Sequence, residues 1–157
     1  MSKIYVSSSW ENPYQPYMVE ELRELGHEVY DFRHPSGRND RSVWDEIGVS
    51  ETLYHDQLTG EVGLSGTELS AALRQSKAHE RFAEHLAAMQ EADTCILLLP
   101  CGRSSHLEAG YMKGLGKRVF VFGSAFDIHK PELMYLTLDG YFYLYEDLFD
   151  ELQVPHS

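Results

Sequence analysis

The stretch Leu97-Leu98-Leu99-Pro100-Cys101-Gly102-Arg103-Ser104-Ser105-His106-Leu107-Glu108 gathers the residue types best suited to chemistry in this chain. An aliphatic run opens into a Gly/Ser loop, and an acidic residue follows one turn into the next expected helix. The first N–H groups of a helix have no partner within it, so Gly102, Ser104 and Ser105 offer amides to an anion. The Glu108 carboxylate has two readings. With Ser105 as N-cap it completes an S-x-x-E capping box and merely finishes the helix. Alternatively it is a nucleophile, kept ionised by the helix N-terminus and aimed at a sugar carbon. The two exclude each other only if the side chain folds back onto Ser105. Arg103 adds a planar guanidinium that matches phosphate geometry, with a solvated loop charge as the alternative.

Other chemistries find less support. Histidines 27, 34, 55, 79, 106, 129 and 156 show no metal-ligand spacing with cysteines or carboxylates, and His79 and His85 do not share a helical face. His106 stands at the helix start, in reach of a ligand or as loop decoration. There is no G-x-x-x-x-G-K-[ST] and no G-x-G-x-x-G, which removes the main nucleotide-cofactor motifs. Cys95 and Cys101 lie six residues apart along an extended run, too far for a disulfide, which suits a reducing compartment. A net charge of −12 argues against a nucleic-acid polymer as partner, since phosphate neutralisation needs clustered Lys and Arg. No charged segment precedes an apolar one at the N-terminus, and no run approaches membrane-spanning length. A cytoplasmic protein is expected.

The 157 residues suffice for one core, and 43% hydrophobic with 12% aromatic residues suits a packed globule. Ile4 to Ser7 reads as a first strand, Pro16 to Leu25 as a helix ended by Gly26, and His27 to Phe32 as a second strand. That is a right-handed parallel βαβ unit. From His34 to about Ser70 no period holds, predicting either a substrate-side lid with short helices or a partly ordered surface insertion. Glu68 to Glu91 reads as one long helix with Phe82, Leu86 and Met89 on its apolar face. Asp93 to Leu99 is continuously apolar, the mark of a central parallel strand. A loop over Pro100 to Ser104 leads to a helix from Ser105 to Leu115, capped by Gly116, and a strand over Arg118 to Phe122. A short helix over Pro131 to Leu136, a strand over Tyr141 to Leu144 and a helix over Glu146 to Leu152 complete the chain. The class is α/β: one domain with an open, five-stranded, mostly parallel, doubly wound sheet of flavodoxin/Rossmann type. In such sheets ligands bind outside the carboxyl ends of the strands, where Ser7 to Trp10 and Gly102 to Glu108 fall.

Two segments carry a resemblance. Lys3-Ile4-Tyr5-Val6-Ser7-Ser8-Ser9-Trp10 places a Tyr in the first strand and a Trp after a small-residue loop. Ser104-Ser105-His106-Leu107-Glu108-Ala109-Gly110-Tyr111-Met112, then Gly116-Lys117-Arg118-Val119, gives small residues, Glu, Gly, an aromatic and a Lys-led strand. In this order and spacing they resemble the nucleoside 2-deoxyribosyltransferase family, with its relatives that hydrolyse nucleoside monophosphates. The resemblance implies Glu108 as nucleophile, Tyr5 as its hydrogen-bonding neighbour and Trp10 as a wall of the base pocket. It also implies that the Gly102 to Ser105 loop holds the sugar's 5′ end or a 5′-phosphate, with Ser7, Ser8 and Met112 in the same site. No metal or redox cofactor is implied. A homo-oligomer, dimer or higher, is implied, and the aromatic run Tyr135, Tyr141, Phe142, Tyr143 and Tyr145 offers a surface for it or packs in the core. One departure stands out: the family's Asp on the helix before the central strand is His85 here, beside Glu84. An imidazole can protonate a leaving base near neutral pH, or pack as an edge residue. Asp93 is a second acid, at the far end of its strand from the crevice.

The same crevice also suits release of a base from a ribotide, or of nicotinamide from NAD in the manner of TIR-like domains. A non-catalytic nucleotide sensor signalling through the 34–70 segment is the third expectation.

Overall fold

The structure, a computed structural model, describes residues 1–34, 43–49 and 53–155. His156 and most of the segment between Arg33 and Leu53 therefore lie outside the described residues. In chain order the elements are β1 (Lys3–Ser7), α1 (Gln15–Glu24), β2 (Glu28–Tyr30), α2 (Val43–Glu46), β3 (Tyr54–His55), β4 (Val62–Gly63), α3 (Gly66–Leu73), α4 (Ser76–Glu91), β5 (Thr94–Leu98), α5 (Arg103–Gly114), β6 (Arg118–Phe122), β7 (Gly140–Phe142) and α6 (Tyr145–Gln153). A 3-10 turn over Leu133–Thr137 precedes β7.

β2-β1-β5-β6-β7 form one sheet in that order, and every pairing in it is parallel. Numbered within the sheet this is the 2-1-3-4-5 order of doubly wound folds, whose direction of winding reverses beside the first strand. The reversal lies between β1 and β5, so the binding crevice of this architecture falls at their carboxyl ends.

Strand alternation sorts the core onto two faces. Ile4, Val6, Ile96, Leu98, Phe120 and Phe122 point to one face, under Met18, Val19 and Leu22 of α1 and Leu148 and Leu152 of α6. Tyr5, Cys95, Leu97, Val119 and Val121 point to the other, under Met89 of α4 and Ala109 and Met112 of α5. β5 and β6 are buried at every position, which is why their sequences are apolar without alternation. Gly26 and Gly116 adopt φ of 87° and 79° just after α1 and α5, the left-handed position that closes a helix cheaply only with glycine.

Three expectations need correction. The helix expected over Glu68 to Glu91 is two, broken at Arg74–Gln75, where Gln75 is extended at ψ 141°. Ser65 and Glu68 form a capping box that starts α3 two residues before the expected boundary. Within α4, Leu86 and Met89 face the core as expected, joined by Ala78, Arg81, His85 and Ala88, but Phe82 is 60% exposed. α5 begins at Arg103 with Gly102 as its N-cap, so Ser105 caps nothing and the Ser105–Glu108 capping box does not form. The irregular segment also contains an antiparallel hairpin, Tyr54 opposite Gly63 and His55 opposite Val62.

Candidate active site

β1 ends at Ser7, whose parity matches Tyr5 and so points it to the α4/α5 face. There the Ser7 hydroxyl donates to Glu108 Oε2 at 2.8 Å and lies 3.2 Å from the Ser105 carbonyl. Glu108 sits in the second turn of α5, past the reach of the helix dipole, which acts within the first turn. Its carboxylate is oriented by Ser7 instead. Its other oxygen, Oε1, lies 4.0 Å from Nδ1 of His85, and the Glu108 side chain keeps 21% exposure. A carboxylate held at one oxygen and open at the other can attack an electrophile.

Tyr5 lies beneath this pair. Its ring stacks on Tyr30 at 5.3 Å, and Tyr30 meets His85 edge-on at 6.3 Å. The Tyr5 hydroxyl is buried and closes no hydrogen bond of normal length. Burial, and next the neighbouring Glu108 charge, push its pKa far above the ordinary value, so it stays a neutral phenol facing the carboxylate.

The mouth is stitched shut on one side. Ser8 Oγ donates to the Leu98 carbonyl at 3.1 Å, and the buried Asn12 amide donates to the Leu98 and Pro100 carbonyls, each at 3.1 Å. Arg33 gathers the carbonyls of Ser9, Trp10 and Asn12 with one nitrogen. These bonds fix the β1–α1 loop against the β5–α5 loop. Trp10 is 38% exposed at this mouth and meets Phe32 edge-on at 5.4 Å. Asn12 and Arg33 were not among the expected site residues; both act through backbone acceptors, which leave no mark in a sequence.

Behind Arg33, Asp31 is buried. Burial pushes its pKa up, but hydrogen bonds from His34, Gln15 and the Arg33 amide outweigh this and hold it below the ordinary carboxylate value.

The expected residues thus divide. Ser7, Tyr5, His85 and Glu108 come together, with Trp10 at the rim. Gly102, Arg103 and Ser104 are exposed at the start of α5, and Arg103 and Ser104 line an 860 Å³ cavity under the β3–β4 hairpin, with Trp44 on its wall. Ser105 is buried at 4%, with its carbonyl facing Ser7 and its side chain facing Cys101, and Ser8 is committed to Leu98. Met112 is wholly buried in the core layer, so it supports α5 rather than facing a ligand. His106 points away from Glu108, to Tyr135 at 2.8 Å. Asp93 binds the Lys3 amide at the opposite end of the sheet. Cys101, which burial pushes up to about 11, is a thiol at neutral pH and no nucleophile. Among the described residues no group of three His, Cys, Asp or Glu is placed to hold a metal ion, and no helix is long and apolar enough to cross a membrane.

A five-stranded parallel sheet with a carboxylate beside its switch point defines an α/β protein of the Rossmann-like class. No family model matches the chain, and no curated protein matches its sequence. Among solved structures it is similar to the 2-deoxyribosyltransferase from the psychrotolerant bacterium Bacillus psychrosaccharolyticus, described as a biocatalyst for nucleoside synthesis. The two share 22% identity at a TM-score of 0.59, over 99% of this chain and 100% of that one. The chain therefore has the nucleoside 2-deoxyribosyltransferase-like fold over its whole length.

Proposed function

We propose that this protein cleaves the N-glycosidic bond of a ribo- or deoxyribonucleoside, or its 5′-monophosphate, with Glu108 as nucleophile. The observation that carries the reading is the Glu108 carboxylate, held by Ser7 at 2.8 Å, open at Oε1 and 4.0 Å from an imidazole, at the switch point of the sheet. Likeness of fold to a 2-deoxyribosyltransferase supports it.

Glu108 attacks C1′ as the C1′–N bond breaks through an oxocarbenium-like transition state, giving a covalent glycosyl ester by the logic of retaining glycosidases. The base leaves with the bonding electron pair and takes a proton from His85. Water, or a second base, then attacks C1′ and frees the carboxylate, giving hydrolysis or transfer. Tyr5 faces the carboxylate, Trp10 walls the base, and the amides and side chains of Gly102, Arg103 and Ser104 hold the 5′ end. The chemistry calls on no metal or redox cofactor.

As a domain, residues 1–157 make one deoxyribosyltransferase-like unit with its insertion at about 34–70, of which the β3–β4 hairpin lies over the 5′ side. Tyr141, Tyr143, Leu133, Met134 and Leu136 are exposed on and beside the edge strand β7. They form the face on which a second copy docks. A reducing, cytoplasmic setting suits the two free cysteines.

The test is release of free base from a panel of nucleosides and 5′-monophosphates, with and without a second base, by wild type and Glu108→Ala. Wild type is expected to turn over at least one substrate, with the variant slower by roughly a thousandfold or more. Equal activity in the two proteins rejects the assignment.

A further inference from the structure

A second cavity, 810 Å³, opens on the other flank of α5. On the helix, His106 and Glu108 stand about 200° apart, at 100° per residue. Their contacts agree: Glu108 meets β1 and α4, while His106 meets Tyr135 beyond β6. The cavity is therefore separate from the Glu108 crevice. The starting turn of α5 forms one wall, and the 128–135 segment, with Lys130, forms the other.

The cations of the described chain mark this cavity. Lys3, Lys77, Arg81 and Lys113 pair with carboxylates. Arg23, Arg33, Arg74, Lys117 and Arg118 bind backbone carbonyls. Among the described residues only Arg103 and Lys130 have neither kind of partner, and both line this cavity. In a chain of net charge −12, two uncompensated cations around one concavity are not explained by surface composition. The one carboxylate there, Glu132, is turned to its own chain, accepting from the Met134 amide at 2.8 Å.

The rest of the wall says what kind of anion fits. His106 donates through Nδ1 to the Gly102 carbonyl at 2.7 Å and stacks on Tyr135 at 5.7 Å, making a flat, rigid face. Leu107 and Ile128, 75% and 100% exposed, supply apolar surface at the rim. The volume is that of a small-molecule site, within the roughly 300–1,000 Å³ such pockets span.

We propose that this cavity binds a small phosphate-bearing molecule, its phosphate held between Arg103 and Lys130 at the start of α5 and its organic part against Tyr135 and Ile128. The site adjoins the 5′ subsite proposed above and shares Arg103 with it; Lys130, Tyr135 and Ile128 belong to this cavity and not to the cavity under the hairpin, and its binding does not depend on glycosidic chemistry.

The test is thermal unfolding of the full chain in inorganic phosphate or glycerol 3-phosphate, each against sodium chloride of equal ionic strength. At a hundred times its Kd, either ligand is expected to raise the wild-type Tm by roughly 5–10 °C for a domain of this size. A larger rise with the ester assigns the apolar wall a share, and an equal rise makes the free ion the ligand; both support the site. Lys130→Glu is expected to lose the phosphate-dependent rise while keeping base-release activity. Lys130→Ala should lose most of the rise without reversing the charge. Two results overturn the proposal: no rise over chloride in wild type, or the same rise in Lys130→Glu, which would put the phosphate elsewhere. Neither bears on Glu108, whose role stands or falls on turnover.

Discussion

The Ser7–Glu108 hydrogen bond offers the sharpest test of how the carboxylate is aimed. Ser7→Ala removes one buried oxygen, leaves the strand intact and takes away the hydroxyl that donates to Glu108 Oε2 at 2.8 Å. A hydrogen bond to a charged group contributes about 1.5–3 kcal/mol. If it serves mainly to hold the carboxylate in line for attack, that range is a kcat loss of about 10–150-fold. Stability should move little. With 21% of its side chain exposed, Glu108 can take a water in place of the hydroxyl. Tm should then fall by about 2–4 °C at most, the shift of roughly 1 kcal/mol in a domain of this size. The assay is base release by wild type, Ser7→Ala, Glu108→Ala and the double variant, with kcat and KM separated. Ser7→Ala is expected to lower kcat at nearly constant KM. In the Glu108→Ala background it should cost nothing further, because the group it positions is gone. A single variant within twofold of wild type, or losses that multiply in the double variant, would refute the reasoning.

Tyr5→Phe deletes a buried hydroxyl without a normal hydrogen bond, so thermal unfolding should show Tm unchanged or raised by a few degrees while kcat falls about tenfold or more. His27 is buried, accepts from the Ser2 amide, and is held below its ordinary pKa of 6.5 by burial first, then by the N-terminal amine and Arg118. The unfolded chain thus takes up a proton near pH 6.5 that the folded chain refuses. The stabilising contribution is full above that pH and is lost as pH falls below it towards the folded value. Urea midpoints at pH 7.5 and 5.5 should differ more for wild type than for His27→Gln; equal differences argue against it. Asp31 works in another window: its depressed pKa adds stability that is full above 3.8 and is lost progressively as pH falls from there through the folded value. Met112→Ala should cost about 2–5 kcal/mol by urea unfolding, as for a wholly buried Met, with kcat/KM per folded molecule nearly unchanged; a selective loss of kcat/KM would return Met112 to the site.

Where burial alone decides conformation, the sequence is a good guide. β6 falls on Arg118–Phe122, the expected bounds, because a strand covered on both faces must be apolar throughout. The crevice followed from the same logic, since Ser7 ends β1 and Glu108 stands in the helix that follows β5. Misreadings arise where a distant partner sets the outcome. Phe82 shares helical spacing with the core-facing Leu86 and Met89, yet it is exposed and the inward stripe of α4 includes Arg81. That guanidinium is turned by Glu46 of α2, 2.5 Å away and 35 residues earlier in the chain. The break at Arg74–Gln75 has neither Pro nor Gly to announce it. The β3–β4 hairpin pairs two residues a strand and is largely exposed, so no period of two could develop. Within the site, Glu108 and Ser7 were legible by position, but the move of the α5 start to Arg103 was not, and it removes the capping box that Ser105 and Glu108 were expected to form.

By resemblance His85 stands where an aspartate is expected, and a histidine there handles charge differently in the proposed site. Two carboxylates about 4 Å apart repel by roughly 4 kcal/mol at the effective dielectric of a protein surface, so one would be driven to hold a proton. A histidine at the same 4.0 Å brings no second negative charge and, when protonated, attracts the carboxylate instead. In the proposed reaction, Glu108 becomes an ester as His85 gives its proton to the departing base, so both charges vanish in one step. A partly buried pair is thereby relieved of charges that are costly to desolvate. Water then attacks the ester, its proton returning to the neutral imidazole, and the pair is restored. This coupling makes the leaving base decisive. His85→Asn should slow release of guanine from guanosine by about 100-fold or more, the typical share of a general acid. It should scarcely slow 7-methylguanosine, whose base already carries a positive charge and needs no proton to leave. Equal losses on the two nucleosides would make His85 a packing residue and leave Glu108 to act without an acid.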